Sequence, residues 1–120
     1  RIIAKFGRQW NSKLKTTTEN PGIDIKGQPG SPIRTVLGGV VTTITYIRGY
    51  GTTIIVDHGG GFYTVYSHVT NIQTVVDGQV RNGDIIAYMG DSGSINGSKL
   101  HFEIWGKGQK LDPEKWLIKK

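Results

Sequence analysis

The sequence predicts an all-β fold: antiparallel strands in a sandwich or partly open barrel, ending in a short C-terminal helix. Three features carry that expectation. Eighteen glycines in 120 residues favour many tight turns over long helices. Runs of strand length, rich in Val, Ile and Thr, fill the middle of the chain between glycine-bearing turns. The one good helix signal stands at the end, where Asp112 is placed to cap a helix with Pro113 in its first position.

Taken in order, residues 1–20 read as polar and irregular after the apolar start Ile2-Ile3-Ala4. Gly22-Ile23-Asp24-Ile25 reads as a short strand, and Gly27 to Pro32 as turn chemistry. Gly39 to Ile47, Thr52 to His58 and Phe62 to His68 form an expected antiparallel meander, joined at Arg48-Gly49-Tyr50-Gly51 and Gly59-Gly60-Gly61. Val75 to Gly83 holds the turn pairs Asp77-Gly78 and Asn82-Gly83. Asp84 to Met89 is a short buried strand, Gly90 to Gly97 a polar loop, and Lys99 to Trp105 the last clear strand.

A chain of 120 residues is long enough for one real core. It has no cysteine, which excludes a disulfide framework and thiolate zinc sites. No run approaches the roughly 20 apolar residues that span a bilayer. No secretory leader is visible, and the start at Arg1 suggests a domain excised from a longer protein. The net charge of +6 suits an anionic partner such as cell-wall polymer or an acidic protein. The basic residues form no dense run, and no nucleic-acid reading motif is present, so nucleic acid is not an expected partner.

One polar constellation stands out. In Lys99 to Trp105, Leu100, Phe102 and Ile104 point to a core, while Lys99, His101 and Glu103 point the other way. In the strand ending at His68, Thr64, Tyr66 and His68 share a face by the same alternation. Asp24 lies between Ile23 and Ile25, a setting in which a carboxylate needs a partner. Asp24, His68 and His101 are thus candidates for one shared site. Each also has a plain reading: a surface histidine, or an aspartate that caps the turn at Gly27. His58 reads as a strand-end residue without a catalytic role.

Several motifs, in order over roughly residues 20–118, resemble lysostaphin-type (LytM) peptidase domains. They are Gly22 to Ile25, Gly49-Tyr50-Gly51 through Asp57-His58-Gly59, Tyr66-Ser67-His68, Gly78-Gln79-Val80 with Gly83 to Ile86, Gly90-Asp91-Ser92-Gly93, and Leu100 to Ile104. The resemblance implies a grooved two-sheet fold and an ancestral zinc chemistry that cuts peptidoglycan cross-bridges. It implies a pattern of His-x-x-x-Asp, Tyr-x-His and His-x-His, with zinc on the first His, the Asp and the last His. Asp24, His68 and His101 match that pattern. Asn20 stands at the first ligand position, and Lys99 at the first position of His-x-His.

Both departures oppose zinc. A catalytic zinc takes three protein ligands and a water, and an amide oxygen replaces imidazole poorly. An ammonium about 5 Å from a dication is repelled by roughly 6–7 kcal/mol at an effective dielectric near 20. The expectation is therefore residues 1–120 as a single degenerate LytM domain, the C-terminal part of a longer envelope protein, with no catalytic residue and no metal. Asn20, Asp24, His68, Lys99 and His101 become a binding surface, with His68 and Lys99 as vestigial catalytic positions.

Ile2 to Arg8, and Leu14-Lys15 through Asn20 to Asp24, resemble the EnvC subgroup of murein hydrolase activators. That implies a periplasmic domain that activates a peptidoglycan amidase during daughter-cell separation. The alternatives are a peptidoglycan-binding envelope module, which an exposed Trp10, Tyr50 and Trp105 would suit, and a weakly active zinc endopeptidase. A lipoyl-like barrel over Gly78 to Gly90 lacks the modifiable lysine at a hairpin tip.

Overall fold

The structure is a computed structural model that describes residues 1–91 and 97–117. Thirteen strands and one helix are present among them. The main sheet is built from β1 (Ile2–Ala4), β4 (Ile23–Lys26), β12 (Lys99–Gly106), β8 (Phe62–Ser67), β7 (Gly51–Gly59), β6 (Gly39–Ile47) and β10 (Gln79–Val80), in that spatial order. β13 (Gln109–Leu111) folds back onto β12. A second sheet sets β11 (Ile85–Met89) between β5 (Pro32–Arg34) and β9 (Val69–Thr70). The expected meander is β6, β7 and β8, paired antiparallel in sequence order.

One core lies between these two sheets. Val41, Ile54, Val56, Phe102 and Ile104 enter it from the main sheet, and Ile33, Ile86, Ala87 and Met89 from the second. Full burial of each such aliphatic or aromatic side chain contributes about 1.5–3 kcal/mol. Leu100, Phe102 and Ile104 face the core as the alternation predicts.

Tyr66 pairs with Phe102 across β8 and β12, with ring centroids 5.3 Å apart. Its hydroxyl accepts from Thr64 at 2.8 Å and from the Val36 N–H at 3.1 Å. His58 continues this network: its Nδ1 donates to the Gly38 carbonyl at 2.8 Å, and its Nε2 meets the Thr64 hydroxyl at 2.7 Å. Its position is thus fixed by hydrogen bonds joining β7, β8 and the Gly38 turn.

Two expectations are corrected. Residues 1–20 are not irregular: β1 joins the main sheet, and β2 (Gly7–Asn11) pairs with β3 (Thr16–Asn20) as a separate two-stranded ribbon. The architecture is therefore two sheets plus a ribbon. The threonine run Thr16-Thr17-Thr18 favours an extended backbone, but the ribbon has no core beneath it and so no apolar alternation to reveal it. Second, β8 ends at Ser67. Thr64 and Tyr66 are bound up in the buried network on the core side, and His68 does not continue their face. Its φ of 64° places it in the left-handed region and breaks the alternation.

The helix α1 (Pro113–Leu117) starts as expected, with the Asp112 carboxylate accepting the Glu114 N–H at 3.1 Å. The loop expected over Gly90 to Gly97 lies partly outside the described residues, which leave out Ser92, Gly93 and the residues up to 96. Among the described residues no helix is long and apolar enough to cross a membrane.

Candidate functional site

The register of β4 against β12 builds the site. Asp24 and His101 are direct cross-strand partners, and Lys99 lies opposite Lys26. Side chains at 99, 101, 103 and 105 alternate to the face of the sheet away from the core. Asp24 reaches that face from the neighbouring strand.

His101 is held at both ring nitrogens. Nδ1 meets Asp24 Oδ1 at 2.6 Å, and Nε2 meets Glu103 Oε2 at 2.8 Å. A carboxylate only accepts, so the ring donates twice, as an imidazolium. Glu103 also accepts the Trp105 indole N–H at 2.7 Å and lies 3.7 Å from the Lys110 ammonium. Asp24 Oδ2 lies 3.7 Å from the Lys99 ammonium. Five side chains thus run as one chain of alternating charge, from Lys99 through Asp24, His101 and Glu103 to Lys110.

Burial opposes each charge, and neighbours overcome it. Burial by itself would lower His101, but its hydrogen bonds to Asp24 and Glu103 hold its pKa above the ordinary value. Burial would raise Asp24, yet the His101 bond and charge, then Lys99 and His68, hold its carboxyl down. Glu103 is likewise lowered against its burial by His101, Trp105 and Lys110. Burial, with the negative charges of Glu103 and Asp24, pushes the Tyr50 hydroxyl up.

His68 reaches the same site by another route than strand alternation. Its backbone N–H donates to the Tyr50 carbonyl at 2.8 Å, and its carbonyl accepts the Gly90 N–H at 3.2 Å. Tyr50 stacks obliquely on both histidines, 4.8 Å from His101 and 6.4 Å from His68. Sequence reasoning left out Tyr50 and Glu103 as site residues. Glu103 was within reach of the alternation already noted, and Tyr50 is marked by the glycines on either side, both at positive φ.

Asn20 stands apart from this chain of contacts. Its amide oxygen accepts the Gly22 N–H at 3.2 Å, and with Tyr50 and Lys110 it walls a cleft of about 490 Å³. A second cavity of about 370 Å³, apolar and bordered by α1, contains none of the candidate residues. Of the aromatic residues expected to be exposed, Trp10 is, while Tyr50 and Trp105 are half-buried.

As a zinc set these residues fit poorly. The Asn20 oxygen is engaged by a turn, and an ammonium neighbours Asp24. Among the described residues no group of three or more His, Cys, Asp or Glu is placed to hold a metal ion.

A grooved antiparallel domain with an Asp and a His presented from adjoining strands belongs to the lysostaphin-type class of folds. Residues 18–113 match Peptidase family M23, and the chain belongs to that family. It is 33% identical over 113 residues to the DD-carboxypeptidase/endopeptidase Mpg of Neisseria meningitidis serogroup B, covering 94% of this chain and 26% of that protein. It is 31% identical over 115 residues to the murein hydrolase activator EnvC of Escherichia coli, covering 96% and 26%. The solved structure of LytU superposes with a TM-score of 0.85 at 29% identity, covering 98% of this chain and 84% of that one. The chain spans about a quarter of the length of these curated relatives.

Proposed function

We propose that this domain binds and switches on a peptidoglycan amidase in the bacterial cell envelope, and does not itself cut peptidoglycan. The observation that carries the reading is the Lys99 ammonium, 3.7 Å from Asp24 Oδ2 and at the position of a proton-handling imidazole in the active pattern, where its charge opposes a dication. On this reading the domain holds no zinc and needs no cofactor.

What remains is a cleft walled by Asn20, Tyr50 and Lys110. Lys110 presents a cation to it, suited to a carboxylate or to backbone carbonyls of a docked segment. The name of the Escherichia coli relative supports an activator, and the name of the Neisseria relative supports the rival, a peptidase.

One assay separates the readings. Dye-labelled sacculi are incubated with the domain alone, with zinc added, and with an envelope amidase. The expected result is no release by the domain alone, with or without zinc, and a several-fold rise in amidase release when both are present. Release by the domain alone would establish the peptidase reading instead. Sedimentation with sacculi and no effect on any amidase would leave a binding module.

A further inference from the structure

The ribbon β2–β3 takes no part in the site beyond its base at Gly7, Glu19 and Asn20. Among the described residues it pairs with no other strand, and residues 8–19 are exposed along both strands and the turn. A lone two-stranded ribbon is marginally stable in water, so the surface it presents needs a reason. Towards its outer end stand Trp10, 63% exposed, and Leu14, 70% exposed. Lys13 and Lys15 flank Leu14, Arg8 stands nearer the base opposite Glu19, and no acidic residue occurs from Gln9 to Thr18.

The tip is shaped rather than slack. Asn11 Oδ1 accepts the N–H of Lys13 at 3.0 Å and of Leu14 at 3.1 Å, and Lys15 turns the chain at a φ of 51°. Leu14 is thereby held at the turn between two lysines. Arg8 and Trp10 lie two residues apart on β2 and share one face of the ribbon.

We propose that this ribbon tip docks on the surface of an anionic lipid bilayer. Leu14 and the Trp10 indole enter the headgroup boundary, while Lys13 and Lys15 lie level with the lipid phosphates. Charge complementarity selects this occupant. Indole and lysine are both at home at a membrane interface, whereas lysine is depleted from protein–protein interface cores. Two apolar side chains give a weak, reversible hold that depends on anionic lipid and falls with salt. Since Gly7 and Asn20 at the ribbon's base also wall the cleft, docking would set the cleft at a fixed height, about 17 Å for a five-residue strand.

The test is flotation of the whole chain with vesicles of phosphatidylcholine, with and without phosphatidylglycerol. The expected result is binding to the phosphatidylglycerol vesicles at low salt, about tenfold above that to neutral ones. Trp10→Ala with Leu14→Ala, and separately Lys13→Glu with Lys15→Glu, should each reduce it by about tenfold or more. All four residues are exposed, so circular dichroism should show the fold retained. Equal binding to neutral and anionic vesicles, or binding that both variants leave intact, would overturn the proposal. So would the finding that the variants ignore lipid yet lose amidase activation in lipid-free solution, which would assign the tip to a protein partner.

Discussion

His101 on β12 and Asp24 on β4 face each other directly across the sheet, and their side chains meet at 2.6 Å. Glu103 closes on the other ring nitrogen at 2.8 Å, so an imidazolium lies between two carboxylates. A pH dependence of stability follows. The pKa of His101 is raised above its ordinary 6.5, so its contribution is full below 6.5 and fades as pH rises through the folded value. Asp24 and Glu103 are lowered from 3.8 and 4.5, so theirs is present above those values and fades as pH falls through the folded ones. All three act together between 4.5 and 6.5. The urea midpoint should be highest in that window and fall on both sides, and His101→Gln should flatten the alkaline limb. A midpoint that stays level from mildly acidic to alkaline pH would refute the imidazolium.

Glu103 is the element that locks this arrangement. Its side chain is 6% exposed and accepts from both His101 and Trp105. Glu103→Ala leaves the buried His101 donor and the half-buried Trp105 indole without an acceptor and opens a hole. Breaking a buried ion pair costs about 3–5 kcal/mol, and His101 can shed its proton in response, so a loss of about 3 kcal/mol is expected from urea denaturation. Glu103→Gln keeps one acceptor and should cost less. A loss below about 1 kcal/mol for the alanine variant would mean that Glu103 does not hold the site.

Gly22 sets how closely the segment before β4 approaches β12. A Cβ there would run into the Phe102 carbonyl oxygen and stand 2.7 Å from Glu103 Cγ. The first obstacle is backbone and cannot swing aside. Gly22→Ala should therefore destabilise the domain by about 2 kcal/mol or more and disturb Glu103. Thermal denaturation measures the first effect, and the His101 ring resonances report the second. A Gly22→Ala variant as stable as the parent would show that the strands can part at little cost.

Much of this was legible locally. β6, β7, β12 and the capped start of α1 follow from β-branched runs, glycine turns and an Asp-Pro pair, all of which act over a few residues. The ribbon was not, because β2 and β3 bury nothing and carry no apolar period. Asp24 was expected to need a partner, but His101 lies 77 residues away, and only strand register joins them. Alternation would carry His68 onto the face of Thr64 and Tyr66, and its left-handed backbone breaks that alternation. No residue type at 67–69 signals that turn, since glycine is the usual marker of positive φ and none is there.

The departures at Asn20 and Lys99 make a last prediction. If they are what keeps zinc out, then Asn20→His combined with Lys99→His should bring it in. The first change supplies a third ligand in place of an amide engaged by Gly22. The second removes an ammonium whose repulsion of a dication is roughly 6 kcal/mol at an effective dielectric near 20. His101 must then give up a proton to bind, which it does more readily above the pH at which its imidazolium is stable. After equilibration with zinc at mildly alkaline pH and desalting, the double variant should retain about one zinc per chain. The parent should retain far less, and each single variant should fall between. Elemental analysis gives the count, and competition with a chromophoric chelator gives the affinity, expected to rise by at least about a hundredfold. A parent chain that retains a full equivalent of zinc would overturn the non-catalytic reading itself, whatever the variants do.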